Sequence, residues 1–128
     1  MDDRTAVITI DGKAYDIVCS TAVAEVLLEK YGSIEELCNK VMSIKDLSEN
    51  ASELVWFIEL FVNAGIRTHN IRHRDAPLPL MSKEEIELLT VPKEYPELWA
   101  SIWDAISRGM MRNVQSEEDP SSKNSPVG

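Results

Sequence analysis

The N-terminal residues alternate between hydrophobic and polar side chains, which is the pattern of half-buried β-strands. In AVITIDGKAYDIV, residues 6–18, β-branched residues recur on both sides of Asp11-Gly12. An Asp-Gly pair between two such runs is a strong hairpin signal, because glycine tolerates the positive φ of a tight turn. We therefore predict strands near residues 6–10 and 14–19, joined by a tight turn.

The pattern then changes to the spacing of amphipathic helices. STAVAEVLLEKYG, residues 20–32, carries apolar residues at helical intervals, and its Gly32 suits the position after a helix. Ser33 and Glu36 fit a capping box, so a second, short helix is predicted to about Val41. The most hydrophobic helix is predicted in ELVWFIELFVNAG.

That hydrophobic helix has recognisable ends in the sequence. Asn50 and Glu53 form an N-terminal capping signature before it, and Gly65 is predicted to end it. The prolines of the following APLPL stretch make a helix there unfavourable.

Two further helices and a polar tail complete the chain. Ser82 and Glu85 cap a short helix that Pro92 ends, and Pro96 lies in the first turn of a last helix that closes at Gly109. The final residues have almost no apolar content, which is typical of disorder. We predict an α+β, mainly α fold, with an N-terminal β-hairpin followed by about five helices. A single globular domain is expected over residues 1–113 and a flexible, disordered acidic tail over residues 114–128.

The acidic balance of the chain restricts its ligands. Lys and Arg number 13 against 22 Asp and Glu, so the formal net charge is -9. Such a surface repels a phosphate backbone, and we expect no nucleic-acid partner. The MDDRTAVITI start has acidic residues where a signal peptide needs basic ones, and no apolar run is long enough to cross a bilayer. Because Cys19 and Cys38 form no CxxC pair, we expect a reduced, soluble cytoplasmic protein without membrane contact.

GIRTHNIRHRD, residues 65–75, holds both histidines of the chain and three of its arginines. His69 and His73 have the spacing of two metal ligands on one helix face, but zinc needs a third and usually a fourth ligand. Gly65 before and Pro77 after the segment argue against a continuous helix. Neither GxxxxGK[ST] nor GxGxxG occurs, which argues against phosphate binding. We therefore expect a connector between helices, with no metal and no cofactor. Its candidates for contact with a protein partner are Arg67, Arg72 and Arg74.

The hydrophobic helix and the last helix carry the three tryptophans. On a helical wheel, Ser52, Glu59 and Asn63 define a narrow polar stripe, and Trp56 lies beside it. A helix that is apolar on its other sides is typical of a buried central helix. The alternative is a surface that a partner covers. Both interpretations, core anchor and partner contact, are open for four candidates: Trp56, Leu60, Trp99 and Trp103.

No pattern in the chain is typical of catalysis. Paired glutamates fall at helix starts or in the tail, where they complement helix dipoles or solvate the chain. No serine lies in a GxSxG motif, and no cysteine lies beside a histidine in sequence. We therefore expect that the protein is not an enzyme.

The chain contains, in order, the stretches ITIDGKAYDI, AVAEVLLEKYGSIEEL, FVNAGIRTHN and LPLMSKEEIELLTVPKEYPELWASIWDAISRGMMRNV, followed by an acidic SEED segment. Together, over residues 8–123, these stretches resemble the tail assembly chaperones of long-tailed phages and prophages. The resemblance implies a protein of the bacterial cytoplasm that binds the tape measure protein, keeps it soluble and helps to recruit tail tube subunits. It also implies absence from the mature virion and no catalytic residues.

Two other functions stay open beside this resemblance. A small metal-dependent enzyme would use His69 and His73. A DNA-binding regulator would use Arg67, Arg72 and Arg74, although the acidic balance argues against it. The sequence also leaves a homo-oligomer open as the state of assembly.

Overall fold

The computed structural model describes residues 3–111. Within that range the chain forms two strands, β1 (Thr5–Ile10) and β2 (Lys13–Val18), and five α-helices. The helices are α1 (Thr21–Tyr31), α2 (Ile34–Met42), α3 (Leu47–Arg72), α4 (Lys83–Leu89) and α5 (Tyr95–Met110), and a short 3-10 helix (Pro92–Glu94) leads into α5. This order confirms the predicted α+β, mainly α class. The predicted tail, residues 114–128, lies outside the described residues.

The hairpin has the turn that its sequence predicts. Asp11 (φ 53°) and Gly12 (φ 77°) both have positive φ, as a two-residue type I′ turn requires. Alternation along the antiparallel strands buries Ile8 and Ile17 completely on the face turned toward the helices. The predicted strands are confirmed, with β2 ending at Val18, one residue before its predicted end.

The hairpin packs on α3 and α5, with β2 beside α3 and β1 beside α5. Two glycines allow the backbones to approach closely. A Cβ atom at Gly65 would lie 2.5 Å from the backbone oxygen of Asp16, and one at Gly109 would lie 2.5 Å from the backbone oxygen of Cys19. The largest fully buried side chains include Ile8, Ile17, Leu54, Phe57, Ile58, Phe61, Ile102 and Ile106.

Helix α3 is longer at both ends than predicted. It begins after Asp46, whose carboxylate accepts the Glu49 N–H at 2.7 Å, rather than at Asn50. It also continues through Gly65 to Arg72, so the prediction that Gly65 ends the helix is wrong. Gly65 lies inside the helix because the β2 backbone passes over it, and not because the chain turns there.

Asn50 and Glu53, which were predicted to cap the start of α3, form hydrogen bonds with neighbouring helices instead. Asn50 accepts a hydrogen bond from the Trp99 indole at 2.7 Å, and Glu53 accepts one from the Tyr31 hydroxyl at 2.6 Å. Both residues therefore join α3 to neighbouring helices. The expected connector over residues 65–75 is also corrected, since residues up to Arg72 are helical.

The other predicted helix ends agree with the structure, except that α5 runs one residue beyond its predicted end at Gly109. Ser33 accepts the Glu36 N–H at 3.1 Å, and Ser82 and Glu85 form a complete capping box. Pro96 lies in the first turn of α5, which passes through Gly109 and ends at Met110. Among residues 3–111, no helix combines the length and the apolar character that a membrane crossing needs.

Candidate functional site

The structure brings the three tryptophans together around one buried ring. We call Trp56, Phe57, Trp99 and Trp103 the aromatic band. The Phe57 ring lies edge-on to Trp56, with centroids 5.1 Å apart, and to Trp99 at 5.2 Å. Trp103 stacks on Trp99 at 6.3 Å. Phe57 is fully buried while the three tryptophans are half-buried, so the band joins the core to the surface.

Two of these tryptophans are engaged with polar neighbours. Trp99 donates its indole N–H to Asn50. The face of Trp56 is covered by the Lys30 ammonium group, 3.6 Å from the ring centroid, and Lys30 also contacts Glu53 at 3.4 Å. Burial, together with the hydrogen bond to Glu53, holds the pKa of the neighbouring Tyr31 above its usual range.

Trp103 differs from the other two. Within the described part of the chain, its indole N–H donates to no protein group, and its one ring neighbour is Trp99. A tryptophan N–H usually finds a partner when it is buried. The Trp56 N–H has no acceptor among these residues either, but Lys30 covers the Trp56 ring, so Trp103 is the tryptophan of the band with neither a hydrogen bond nor a cation contact.

The polar stripe predicted on α3 is only partly a surface feature. Ser52 is exposed, and Glu59 and the candidate Leu60 are half-buried. Asn63, however, is 6% exposed. Its amide donates to the Met81 carbonyl at 2.8 Å and accepts the Met81 N–H at 2.8 Å. Asn63, at the buried end of the stripe, thus forms a specific contact with the chain at Met81.

A second asparagine repeats this contact two helical turns later. Asn70 donates to the Leu78 carbonyl at 3.0 Å and accepts the Leu78 N–H at 2.8 Å. Each asparagine therefore pairs with both backbone groups of one residue, as a neighbouring strand would. Together they hold residues 78–81, which we call the pinned segment, along α3. Sequence reasoning missed this role, although the seven-residue spacing of the asparagines places them on one helix face.

The two asparagines give a matched pair of variants. We expect Asn63→Ala to lower the free energy of unfolding by about 1.5 kcal/mol, because it leaves the part-buried N–H and C=O groups of Met81 without their side-chain partner. Asn70→Ala should cost about 0.5 kcal/mol or less, since water can replace its partners at the exposed Leu78. Urea unfolding of both variants measures the difference. Equal losses would contradict the assigned role of burial.

A groove is lined by β2, the second half of α3 and the pinned segment. Its volume is about 600 Å³. Most of its charged and imidazole side chains are basic, and we call it the basic groove. Those lining side chains are Arg4, Lys13, Asp16, His69, Arg72, His73 and Glu85. Of the three candidate arginines, Arg72 lines this groove, whereas Arg67 and Arg74 are exposed outside it.

His69 and His73 are placed side by side by α3, and do not lie in an irregular connector between helices. His69 belongs to α3, His73 caps its end, and their rings stack with centroids 4.4 Å apart. The expectation that no helix presents them together is therefore corrected. Within residues 3–111, no group of three or more His, Cys, Asp or Glu side chains is arranged to hold a metal ion. The absence of a functional metal stays a prediction.

Cys19 does not offer an activated thiol. Cys19 is buried, and burial raises the pKa of its thiol to about 11. The thiolate, which is the nucleophilic form, is therefore scarce at neutral pH. Cys38 is half-buried on α2 and is also a free thiol.

Comparison with protein-family models, with curated proteins and with solved structures gave no match. The functional interpretation therefore depends on the sequence resemblance and on the two surfaces described above.

Proposed function

We propose that this protein is a non-enzymatic tail assembly chaperone of a long-tailed phage or prophage, which acts in the bacterial cytoplasm. It binds an apolar helical segment of the tape measure protein, keeps that protein soluble and helps to recruit tail tube subunits. The sequence resemblance over residues 8–123 motivates this proposal. The observation that carries it is the aromatic band, whose three tryptophans are half-buried at the surface of an acidic protein.

The chemistry of the band suits a helical apolar partner. Tryptophan is enriched among the residues that dominate binding energy at protein interfaces. A ring that is already packed on one side loses little conformational freedom when a partner covers its other side. The net charge of -9 keeps the chaperone itself soluble while this apolar surface is free.

Trp103 is the proposed anchor within the band. Trp99 is committed to Asn50, and Trp56 is covered by Lys30. Trp103 has neither contact, and its ring stacks on that of Trp99. Leu60, half-buried on α3, is proposed to add aliphatic contact beside the band.

We expect Trp103→Ala to abolish the solubilising activity. Truncation of an interface anchor costs about 2 kcal/mol or more, which is roughly a thirtyfold loss of affinity. The measurement is co-expression with the tape measure protein of the same genome, followed by quantification of its soluble fraction. Leu88→Ala is the control, because Leu88 is 76% exposed on α4 and lies outside the band; it should behave as wild type.

Folding and binding must be separated in this experiment. The thermal midpoint of each variant is measured first, and acrylamide quenching of single-tryptophan variants should find Trp103 accessible. If the tape measure protein is insoluble even with wild type, the proposed function is wrong. If Trp103→Ala stays folded and still keeps the partner soluble, the aromatic band is not the binding surface.

A further inference from the structure

The two long edges of the β-hairpin differ in how the rest of the fold covers them. At the edge formed by β2, α3 approaches so closely that a Cβ atom at Gly65 would lie 2.5 Å from the backbone oxygen of Asp16. The same strand carries the charged side chains of Lys13 and Asp16. Coverage by a helix and charged side chains are both devices that keep an edge strand from pairing with another chain. The β2 edge is therefore protected.

The outer edge of β1 has free main-chain groups. A two-residue turn makes Ile10 and Lys13 a hydrogen-bonded pair. Along an antiparallel ladder such pairs alternate with pairs that are not hydrogen-bonded, so the main-chain groups of Val7 and Thr9 point away from β2. Within residues 3–111, no hydrogen bond outside this ladder involves the main chain of Val7 or Thr9.

β1 also carries none of the side chains that protect an edge strand. Its sequence, TAVITI, includes no charged residue and no proline. On its outer face Val7 is 41% exposed and Thr9 is exposed, whereas Ile8 and Ile10 are buried against the helices. An uncharged edge with free donors and acceptors is a template for pairing with another strand.

We propose that the outer edge of β1 pairs with the same edge of a second copy of this chain, in an antiparallel arrangement whose two-fold axis passes beside Val7. Val7 then lies opposite the partner subunit's Val7, and Thr5 lies opposite the partner subunit's Thr9. The two hairpins form one continuous sheet, joined by about six hydrogen bonds, since each directly opposed pair of this kind exchanges two. This interface uses no residue of the aromatic band and does not depend on the proposed chaperone function.

The chemistry of β1 favours a second copy as its partner. A two-fold interface requires a surface that complements itself, and an antiparallel strand edge does so because its donors and acceptors alternate. Like charges directly opposite each other destabilise a strand pair, and β1 has no charged side chain to oppose. The pairing instead places β-branched side chains opposite each other, which suits cross-strand packing.

The association should be weak, because the contact is small and both copies are acidic. β1 has 6 residues and is about 20 Å long. A single strand pair of that length buries less than the roughly 800 Å² per partner of a typical stable interface. The net charge of -9 on each copy opposes association, and salt screens this repulsion. We therefore expect a dissociation constant on the order of 10 μM that decreases as salt is raised.

The first test is sedimentation equilibrium of the full-length protein over concentrations of about 1 to 300 μM. The mass should rise from that of a monomer toward that of a dimer. Val7→Lys places two ammonium groups opposite each other at the axis and should weaken the dimer about tenfold or more. Ala14→Lys is the matched control, because it adds the same charge to an exposed position on the same face of the hairpin, but on β2; it should dimerise as wild type does.

Amide hydrogen exchange of the wild-type protein locates the interface without any substitution. The N–H groups of Val7 and Thr9 should exchange several-fold more slowly at about 300 μM than at about 5 μM, because pairing protects them in the dimer. The N–H groups of Ile8 and Ile10 donate to β2 in both states, so their exchange should change little with concentration.

Four results would overturn the proposal. The first is a monomeric mass over the whole concentration range. The second is an equal loss of dimer in Val7→Lys and Ala14→Lys. The third is a dimer in which the exchange of the Val7 and Thr9 amides does not depend on concentration, which would place the interface elsewhere. The fourth is protection of these amides only after the tape measure protein is added, which would assign the edge to a strand of that partner instead.

Discussion

Gly65→Ala should destabilise the protein by about 2 kcal/mol, although alanine is the better helix former. In an exposed helix interior this change stabilises by about 1 kcal/mol. Here the added Cβ would lie 2.5 Å from the backbone oxygen of Asp16. That oxygen belongs to a strand and cannot rotate away as a side chain would, so α3 and β2 must separate, and overpacking of this kind typically costs about 1–3 kcal/mol.

The measurement is the free energy of unfolding in urea for wild type and Gly65→Ala. Ser52→Ala, at an exposed position of the same helix, is the control and should change stability by no more than about 0.5 kcal/mol. Helix propensity favours alanine at position 65, whereas the contact with the Asp16 oxygen disfavours it. The sign of the change in unfolding free energy therefore shows which effect is larger. A stabilised Gly65→Ala would mean that the hairpin does not approach α3 as closely as described.

Phe57→Ala should have the largest effect on stability, a loss of about 4 kcal/mol. Phe57 is fully buried, and its ring contacts Trp56, Trp99, Tyr31 and Phe61. Removing it leaves a cavity in the centre of the core and also removes the support of the aromatic band. Since small domains have a total stability of about 5–15 kcal/mol, such a loss is a large share of the whole.

Phe57→Leu separates these two consequences. It retains most of the buried volume, so its cost should stay near 1 kcal/mol. Urea unfolding and tryptophan emission are measured on both variants. Phe57→Ala should shift the emission of the folded protein to longer wavelength, because Trp56 and Trp99 gain contact with water. A loss below about 1 kcal/mol for Phe57→Ala would contradict the central position of this ring.

The local elements of the fold could be predicted from the sequence. The hairpin follows from the Asp11-Gly12 pair and the alternation around it, and the starts of α2 and α4 follow from Ser33 and Ser82. Each of these features depends only on residues that lie within three or four positions of one another in the sequence. A side chain that caps a helix or a residue that adopts positive φ needs no distant partner, so its effect is visible in sequence.

The length of α3 could not be predicted in this way. Gly65 is equally compatible with a helix end and with a close helix–strand contact, and only the position of Asp16 distinguishes the two. Asn50 and Glu53 resemble a capping pair, but their hydrogen-bond partners, Trp99 and Tyr31, are distant in sequence. Polar residues of the same type serve local or distant partners, and sequence spacing does not separate these cases.

Both candidate surfaces are products of the tertiary structure. The sequence identified the tryptophans as candidates, but Phe57 and the packing of α5 on α3 bring them together. The basic groove joins side chains that range from Arg4 to Glu85 along the chain. The sequence by itself determined the types of element and the kinds of side chain available. Which side chains meet was decided by the packing of α5 and of β2 on α3, because contact between distant residues depends on how the elements pack.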